Sequence, residues 1–209
     1  GAGRHRHHRR GFAGQHSDYE IDTYYAHIPG LKTVIPSTPT DAKGMMVSAI
    51  RDPNPVAFLW ADGLRSMIED VPDEQYMTPL DKAAVRTEGT DITIVGSGGG
   101  MPEVLKATEQ LQKAGMKVET IDLRSLKPMD TETLVTSVRK TKRLLTVDQS
   151  YYTLCPGAEV IARVAENVDG ARYKRVAFPD APPPAAPEMF LWMRPNATHI
   201  VDAAKKLVG

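Results

Sequence analysis

The apolar residues in the second half of the chain follow two patterns in succession, which predicts that strands and helices alternate there. Short apolar runs typical of buried strands occur at residues 92–95, 118–123, 144–147 and 176–178. Apolar residues also recur every three to four positions, which predicts helices that begin near Pro102, Asp130, Pro156 and Asn196. The first of these helices has a predicted apolar face made of Val104, Leu105, Thr108, Leu111 and Ala114. Strand–helix alternation with short loops predicts an α/β fold with a parallel sheet covered on both faces.

The stretch from Gly14 to Pro55 begins with the pattern of a capped helix. Ser17 and Glu20 form a capping box, so a helix is expected to start at Ser17. It is expected to end near His27, because a Pro-Gly pair follows and cannot continue it.

A short buried strand is predicted over residues 31–36, and a second helix over 39–51. Thr38 is the predicted N-cap of that helix, with Pro39 at its first position. Its predicted apolar face consists of Ala42, Met45, Met46, Ala49 and Ile50. Another strand is predicted over 56–60.

Residues 61–80 are acidic, are interrupted by two prolines and show no periodicity, which is typical of a connection between domains. The chain is therefore predicted to have two domains, residues 1–65 and residues 66–209. An edge strand is predicted over 82–87, after the connection.

Composition narrows the function classes. The 209 residues carry 26 basic and 26 acidic side chains, so no net charge draws the chain to nucleic acid or to an anionic membrane. No apolar run approaches the roughly 20 residues that span a bilayer. Cys155 is the only cysteine in the sequence, which excludes an internal disulfide and fits a reducing compartment. Residues 1–13 form a head rich in Arg and His.

Two positions in the first domain carry candidate chemistry. His16 lies just before a predicted helix N-terminus, where the helix dipole favours a neutral imidazole or a bound anion. At the other end of the second helix, Asp52 and Asn54 lie beside backbone carbonyls that lack helical partners. These oxygens are suited to a hard cation, while an ordinary solvated turn is the alternative interpretation.

Two positions in the second domain are also candidates. Gly96–Gly100 follows a strand and opens a helix, where backbone N–H groups can bind phosphate, and Asp122 follows at a distance known from dinucleotide sites. Met101 stands where the third glycine of that motif belongs, so a tight turn is the alternative. The apolar run at 189–193 is interpreted as a loop buried against a partner subunit.

Several separate motifs, in order, resemble one family. They include Gln15-His16-Ser17 and continue through residues 25–32, 35–39, 41–44, 49–52, 88–93, 121–130 and 157–159. Together they resemble the beta subunit of thiamine-diphosphate-dependent 2-oxo acid dehydrogenases, a group that includes the pyruvate, branched-chain 2-oxo acid and acetoin dehydrogenases. The resemblance covers nearly the whole chain after residue 14.

The resemblance implies a fold and a site. Residues up to about 65 are expected to be the closing part of a pyrimidine-binding domain, and the rest a transketolase C-terminal-type domain that builds dimer and partner contacts. His16 is implied as an active-site residue that assists transfer of the acyl group to a lipoyl group. A structural potassium ion is implied at the helix end formed by Ala49, Ile50, Asp52 and Asn54.

The resemblance also implies a cofactor and partners. Thiamine diphosphate with Mg²⁺ is expected to be shared with an alpha subunit, because the family's cofactor glutamate lies upstream and its diphosphate motif lies on the alpha subunit. The chain is thus expected to be N-terminally incomplete and inactive alone. The implied partners are an alpha subunit, a second beta subunit and the lipoyl acyltransferase core, in a bacterial cytoplasm or a mitochondrial matrix.

Two other hypotheses remain open from the sequence. The chain is alternatively a non-catalytic fragment that acts as a dimerisation or docking module. A third hypothesis is a nucleotide-binding transferase that uses the Gly96–Gly100 turn.

Overall fold

The computed structural model describes residues 21–60 and 67–209. The elements in chain order are α1 (Ile21–His27), β1 (Lys32–Val34), α2 (Pro39–Arg51), β2 (Val56–Phe58), β3 (Ala84–Thr87), β4 (Ile92–Gly96), α3 (Met101–Lys113), β5 (Val118–Asp122), β6 (Ser125–Lys127), α4 (Thr131–Thr141), β7 (Arg143–Tyr151), α5 (Pro156–Ala165), β8 (Arg172–Phe178), α6 (Pro187–Met193) and α7 (Ala197–Val208). One turn of 3₁₀ helix at Gly98–Gly100 precedes α3. The predicted start of the first helix at Ser17 lies outside the described residues.

The larger sheet has five strands in the order β3-β5-β4-β7-β8. Strands β5, β4, β7 and β8 are parallel to their neighbours, as the strand–helix alternation predicts. Strand β3 is antiparallel to β5 and lies at the edge, which confirms the edge strand expected near residues 82–87. The sheet is therefore mixed instead of wholly parallel, because β3 enters from the irregular connection and not from a helical crossover.

Apolar side chains fill both sides of this sheet. On one face, α3 and α7 pack Val104, Leu111, Ile200 and Leu207 against the strands. On the other face, α4 and α5 contribute Leu134, Val138, Val160 and Val164. The two cores confirm the prediction that helices cover both faces.

The predicted apolar face of α3 is correct in part. Val104, Thr108 and Leu111 are buried, but Leu105 and Ala114 are exposed. The buried stripe instead includes Met101 and Ala107, because these two residues lie on the side of α3 that packs on the sheet.

The smaller sheet joins the beginning of the chain to its middle. Its order is β2-β1-β6, with β1 parallel to β2 and antiparallel to β6. Strands β1 and β2 confirm the strands expected near 31–36 and 56–60. Strand β6 was not predicted, because its three residues lie in a short polar segment between Asp122 and α4 and carry no periodicity.

Helix α2 has the predicted bounds but a different buried face. The Thr38 hydroxyl accepts the Asp41 N–H at 3.1 Å, which confirms Thr38 as the N-cap. Met45 is fully buried, whereas Met46 is 38% exposed and Ile50 is 77% exposed, so their predicted burial is wrong. The segment around Tyr76 and Thr78 packs at Gly44, which turns the buried stripe toward that glycine.

The apolar run at 189–193 is the helix α6 and not a loop. Phe190 is buried and packs on Phe178 with ring centroids 5.7 Å apart. Met189, Leu191 and Trp192 are exposed. The expected partner contact of this run stays a prediction.

Candidate functional site

The candidate site lies where helix α1 meets the larger sheet. His16, the predicted catalytic residue, lies in residues 1–20 and outside the described part of the chain. Helix α1 follows it in sequence and rests on the strand β7 side of the larger sheet through Asp22. The Ser150 hydroxyl donates to both Asp22 carboxylate oxygens, at 3.1 and 3.3 Å. Burial raises the pKa of Asp22, although these hydrogen bonds oppose the rise.

A second carboxylate lies beneath this contact. Asp148 is buried in β7, two residues before Ser150. Both of its oxygens accept the Gly157 N–H, each at 3.2 Å, at the start of α5. Burial raises the pKa of Asp148 to about 7, and the negative charge of Asp22 adds to the rise. Asp148 is therefore placed to gain or lose a proton near neutral pH.

Cys155 completes this buried group. Its thiol interacts with Asp148, and the Arg175 guanidinium lies 3.8 Å from the sulfur. Burial and the neighbouring carboxylate raise the pKa of Cys155 to about 11. Because the thiolate is the reactive form, Cys155 is a poor nucleophile at neutral pH.

A cavity of about 940 Å³ opens beside this group, between α1, the connection from β6 to α4, and the start of α5. Charged side chains stand at its edge, where Arg163 pairs with Glu159 at 2.7 Å and Lys127 donates to the Ile28 carbonyl at 2.9 Å. Its walls are mainly apolar and include Ala26, Leu126, Pro128, Met129, Leu154 and Pro156. A cavity of this size and character suits a small ligand or an inserted side chain.

A network of charges connects the smaller sheet region to the larger sheet. The Arg86 guanidinium donates to Asp122 at 2.6 Å and also binds Asp41 of α2. The Ser37 hydroxyl donates to the same Asp122 carboxylate, and the Arg124 N–H donates to its second oxygen at 3.2 Å. Burial raises the pKa of Asp122 against the opposing effect of Arg86. Burial lowers the pKa of Arg86, but the two carboxylates outweigh it, so the net shift is upward.

This network bears on the dinucleotide hypothesis. Asp122 is wholly buried, and its carboxylate is occupied by Ser37, Arg86 and the Arg124 N–H, so it is not available to a ribose. The glycine run forms the tight 3₁₀ turn that was the alternative interpretation, and Arg194 donates to the Gly99 carbonyl at 3.2 Å.

The end of α2 brings the four predicted cation ligands into one turn. Asp52 pairs with Lys32 through one carboxylate oxygen, and this contact is the main cause of its lowered pKa. The other oxygen accepts the backbone N–H of Asn54 at 2.9 Å and its side-chain amide at 3.1 Å. The Ala49 carbonyl accepts the Asp52 N–H at 3.3 Å. The Asp52 side chain is thus already satisfied, so a cation at Ala49, Ile50, Asp52 and Asn54 would be held by carbonyl oxygens, and its binding stays a prediction.

Within the described ranges, 21–60 and 67–209, no group of three or more His, Cys, Asp or Glu side chains is arranged to hold a metal ion. None of the helices in these ranges has the length and apolar character needed to cross a membrane.

Sequence reasoning did not find Asp22, Asp148 or Arg86. The sequence did carry one indication of Asp148. Asp148 directly follows a predicted buried strand, and Asp122 lies near the end of another. Functional side chains often lie at the carboxyl ends of parallel strands. No signal was present for Asp22 and Ser150, which are 128 positions apart.

The mixed sheet with helices on both faces and the smaller sheet before it define a two-part α/β architecture of the transketolase type. Family models agree: "Transketolase, C-terminal domain" matches residues 81–200, and "Transketolase, pyrimidine binding domain" matches residues 7–64. The chain belongs to the transketolase C-terminal domain family, and the residues before that domain match the pyrimidine-binding domain.

Comparison with individual proteins gives more specific similarities than the two domain families. The chain is 41% identical to the pyruvate dehydrogenase E1 component subunit beta of Rhizobium meliloti, over 92% of this chain and 43% of that protein. It is 39% identical to the Bacillus subtilis protein of the same name, over 92% of this chain and 60% of that protein. It is 40% identical to the mitochondrial 2-oxoisovalerate dehydrogenase subunit beta 2 of Arabidopsis thaliana, over 95% of this chain and 56% of that protein. The chain thus spans about half the length of these relatives.

A solved structure supports the fold. The chain resembles "Split gene transketolase, inactive beta4 tetramer" with a TM-score of 0.79 and 24% identity, over 93% of this chain and 63% of that one. At this identity, the likeness concerns the fold alone.

Proposed function

We propose that this chain is part of the beta subunit of the decarboxylating component of a 2-oxo acid dehydrogenase complex. The observation that carries the proposal is the similarity to pyruvate and 2-oxoisovalerate dehydrogenase beta subunits, at 39–41% identity over more than nine-tenths of this chain. The order of the sequence motifs, from Gln15-His16-Ser17 to Gly157-Ala158-Glu159, supports the same family. The names of these relatives include pyruvate and 2-oxoisovalerate, and acetoin is a third substrate to test.

The cofactor in this proposal is thiamine diphosphate with Mg²⁺, bound jointly with an alpha subunit. Thiamine diphosphate supplies the chemistry that cleaves a 2-oxo acid next to its carbonyl carbon. The described residues offer no three-ligand metal group, so we assign no Mg²⁺ ligand among them and derive no catalytic step from them. A second beta subunit and the lipoyl acyltransferase core complete the proposed assembly, in a bacterial cytoplasm or a mitochondrial matrix.

His16 is proposed as the residue that assists acyl transfer to the lipoyl group. A histidine with a pKa near neutrality can donate a proton to a sulfur of the opening dithiolane. The sequence supports this role, because His16 precedes a capping box and lies in the Gln-His-Ser motif of the resemblance.

We also propose that the C-terminal end of α2 binds a potassium ion through carbonyl oxygens of Ala49, Ile50, Asp52 and Asn54. The last carbonyls of a helix carry partial negative charge, and the turn held by Asp52 and Asn54 directly follows them. Potassium should therefore raise the melting temperature relative to choline at equal ionic strength. Identical melting temperatures in the two salts would contradict the cation site.

The experiment for the main proposal uses the full-length natural protein, co-produced with its alpha subunit. Pyruvate, 2-oxoisovalerate and acetoin are offered with thiamine diphosphate, and turnover is followed with an artificial electron acceptor. We expect turnover of at least one substrate that requires both the cofactor and the alpha subunit. A correctly assembled complex that turns over none of them would overturn the proposal in favour of a non-catalytic docking module.

A further inference from the structure

Two carboxyl groups, the half-buried Asp22 and the buried Asp148, lie where helix α1 meets the larger sheet. Asp22 comes from α1 and Asp148 from β7, and no residue of the described smaller sheet takes part in the group. Ser150, buried on the same strand as Asp148, donates to both oxygens of Asp22, at 3.1 and 3.3 Å. Helix α1 is therefore tied through Asp22 to the strand that carries Asp148, and the negative charge of Asp22 acts on the Asp148 carboxyl group.

Asp148 has little freedom to move away from this contact. Its two oxygens accept the Gly157 N–H at 3.2 Å each, and a Cβ at position 157 would overlap both the Asp148 carboxylate and the Thr146 side chain. The start of α5 therefore packs directly on the carboxyl group. A group held this tightly cannot reach solvent when it ionises, so its charge must be borne inside the protein.

The charged and titratable groups around Asp148 come from each element packed on it. Asp22 faces it from α1, Cys155 from the cap of α5, and Arg175 from β8. Of these three described groups, Arg175 alone is positive, and it also donates to the Tyr152 carbonyl at 2.9 Å and stacks over the Tyr152 ring. One positive charge shared in this way does not neutralise two carboxylates.

We propose that Asp22 and Asp148 form a proton-dependent latch that fixes α1 to the larger sheet. With Asp148 protonated, the group holds the single negative charge of Asp22, which Ser150 and the Thr23 N–H bind. When Asp148 releases its proton to solvent, its negative charge and that of Asp22 repel each other and α1 is held less tightly. This inference does not depend on the proposed function, although α1 directly follows the Gln15-His16-Ser17 motif.

The direction of the pH dependence follows from the raised pKa of Asp148. The pKa of Asp148 is about 7 in the folded protein, above the roughly 3.9 of a free aspartate. A carboxyl group with a raised pKa stabilises the folded contact most when protonated, so the latch weakens as pH rises toward and through about 7. It is therefore closed in mild acid and loosened above neutral pH.

Two measurements on the full-length protein test the latch. Carboxyl carbon-13 NMR follows the titration of Asp148, and hydrogen exchange follows the protection of the α1 amides, corrected for intrinsic exchange and referred to α7. We expect α1 protection to fall about tenfold between pH 6 and pH 8, since one pKa unit corresponds to a tenfold change in an equilibrium. Asp148→Asn should remove this fall, and Asp169→Asn, at an exposed carboxylate, should leave it unchanged.

Several outcomes would overturn the proposal. They are constant α1 protection from pH 6 to pH 8, the same fall in Asp148→Asn, or an Asp148 titration that ends below pH 5. If Asp148→Asn does not fold, Asp22→Asn decides the question, because it removes the second carboxylate while leaving the α5 contact intact. The pH-dependent fall should then disappear and the titration midpoint of Asp148 should drop; an unchanged fall would refute the latch.

Discussion

At the scale of single residues, Arg86 places one guanidinium between two carboxylates from distant parts of the chain. Asp41 belongs to α2 and Asp122 to β5, and Asp122 is wholly buried. Removing one partner of such a group leaves a buried charge without compensation, which costs more than the intact group contributes. Arg86 is therefore expected to matter far more than the exposed ion pairs of the helices.

We predict that Arg86→Met lowers the free energy of unfolding by about 3 kcal/mol at neutral pH. Without the guanidinium, the already raised pKa of Asp122 rises further. A carboxyl group with a raised pKa costs most when ionised, so the loss should be larger at pH 8 than at pH 5. Urea denaturation at the two pH values measures the difference.

Lys113→Met is the matched control for this variant. It removes an exposed pair with Glu109, four positions away on α3, and should leave the denaturation midpoint unchanged. If Arg86→Met behaved like Lys113→Met at both pH values, the charge network would have no role in stability.

His16 belongs to the residue scale as a prediction from sequence. In the assembled complex, His16→Ala should lower acylation of the lipoyl group by roughly 10²–10⁴-fold, the usual contribution of a general acid or base. Decarboxylation measured with an artificial electron acceptor should survive better, because it does not require a proton at the dithiolane.

The control for His16 is His27→Ala, at an exposed position of α1. It should leave both activities near those of the unchanged protein. Equal loss of the two activities in His16→Ala would count against the assigned role.

At the scale of elements, the bounds of α2 were predictable from the sequence pattern, whereas its buried face was set by packing. Its bounds and its Thr38 cap follow from local sequence. Its buried face does not, because Met45 and Met46 are adjacent and equally apolar, and only contact with the 76–78 segment and the smaller sheet decides which one is buried.

We predict a large difference between two neighbouring substitutions in α2. Met45→Ala should destabilise the protein by about 2–5 kcal/mol, because it leaves a cavity among Val34, Leu80 and the helix. Met46→Ala should change stability by less than about 0.5 kcal/mol. Thermal or urea denaturation of the two variants measures both effects, and equal losses would show that α2 is rotated from the described orientation.

At the scale of the whole molecule, strand β6 connects the two sheets. It follows β5 of the larger sheet after two residues and pairs with β1 of the smaller one. The Arg86 network crosses the same boundary. Two sheets connected by the short β5–β6 link and by a buried charge network are expected to unfold together.

Single-tryptophan variants test this cooperativity. Trp60 follows β2 in the smaller sheet region, and Trp192 lies on α6 beside the larger sheet. We predict that Trp192→Phe, which reports from Trp60, and Trp60→Phe, which reports from Trp192, give coincident urea transitions that also match far-ultraviolet circular dichroism. A clearly earlier transition at Trp60 would show that the smaller sheet region unfolds independently.

Much of the fold was predictable from sequence for a physical reason. Helix periodicity, strand length and capping depend on residues within a few positions of one another. Thr38, the predicted cap, and Asp130 and Asn196, near which helices were predicted to begin, all accept backbone N–H groups three positions on. The candidate site was less predictable. His16 lies outside the described residues, and the cation turn has the predicted oxygens but a carboxylate already bound by Lys32.

The amino-acid sequence was enough to predict the order of strands and helices, most of their bounds, and the family to which the chain belongs. The folded structure was needed to show that β6 pairs with β1, that Met45 and not Met46 is buried, and that Asp22 meets Ser150 near Asp148. These features depend on residues far apart in the chain. The packing of the two sheets and their helices determines these contacts, and a local pattern of polar and apolar positions does not specify them.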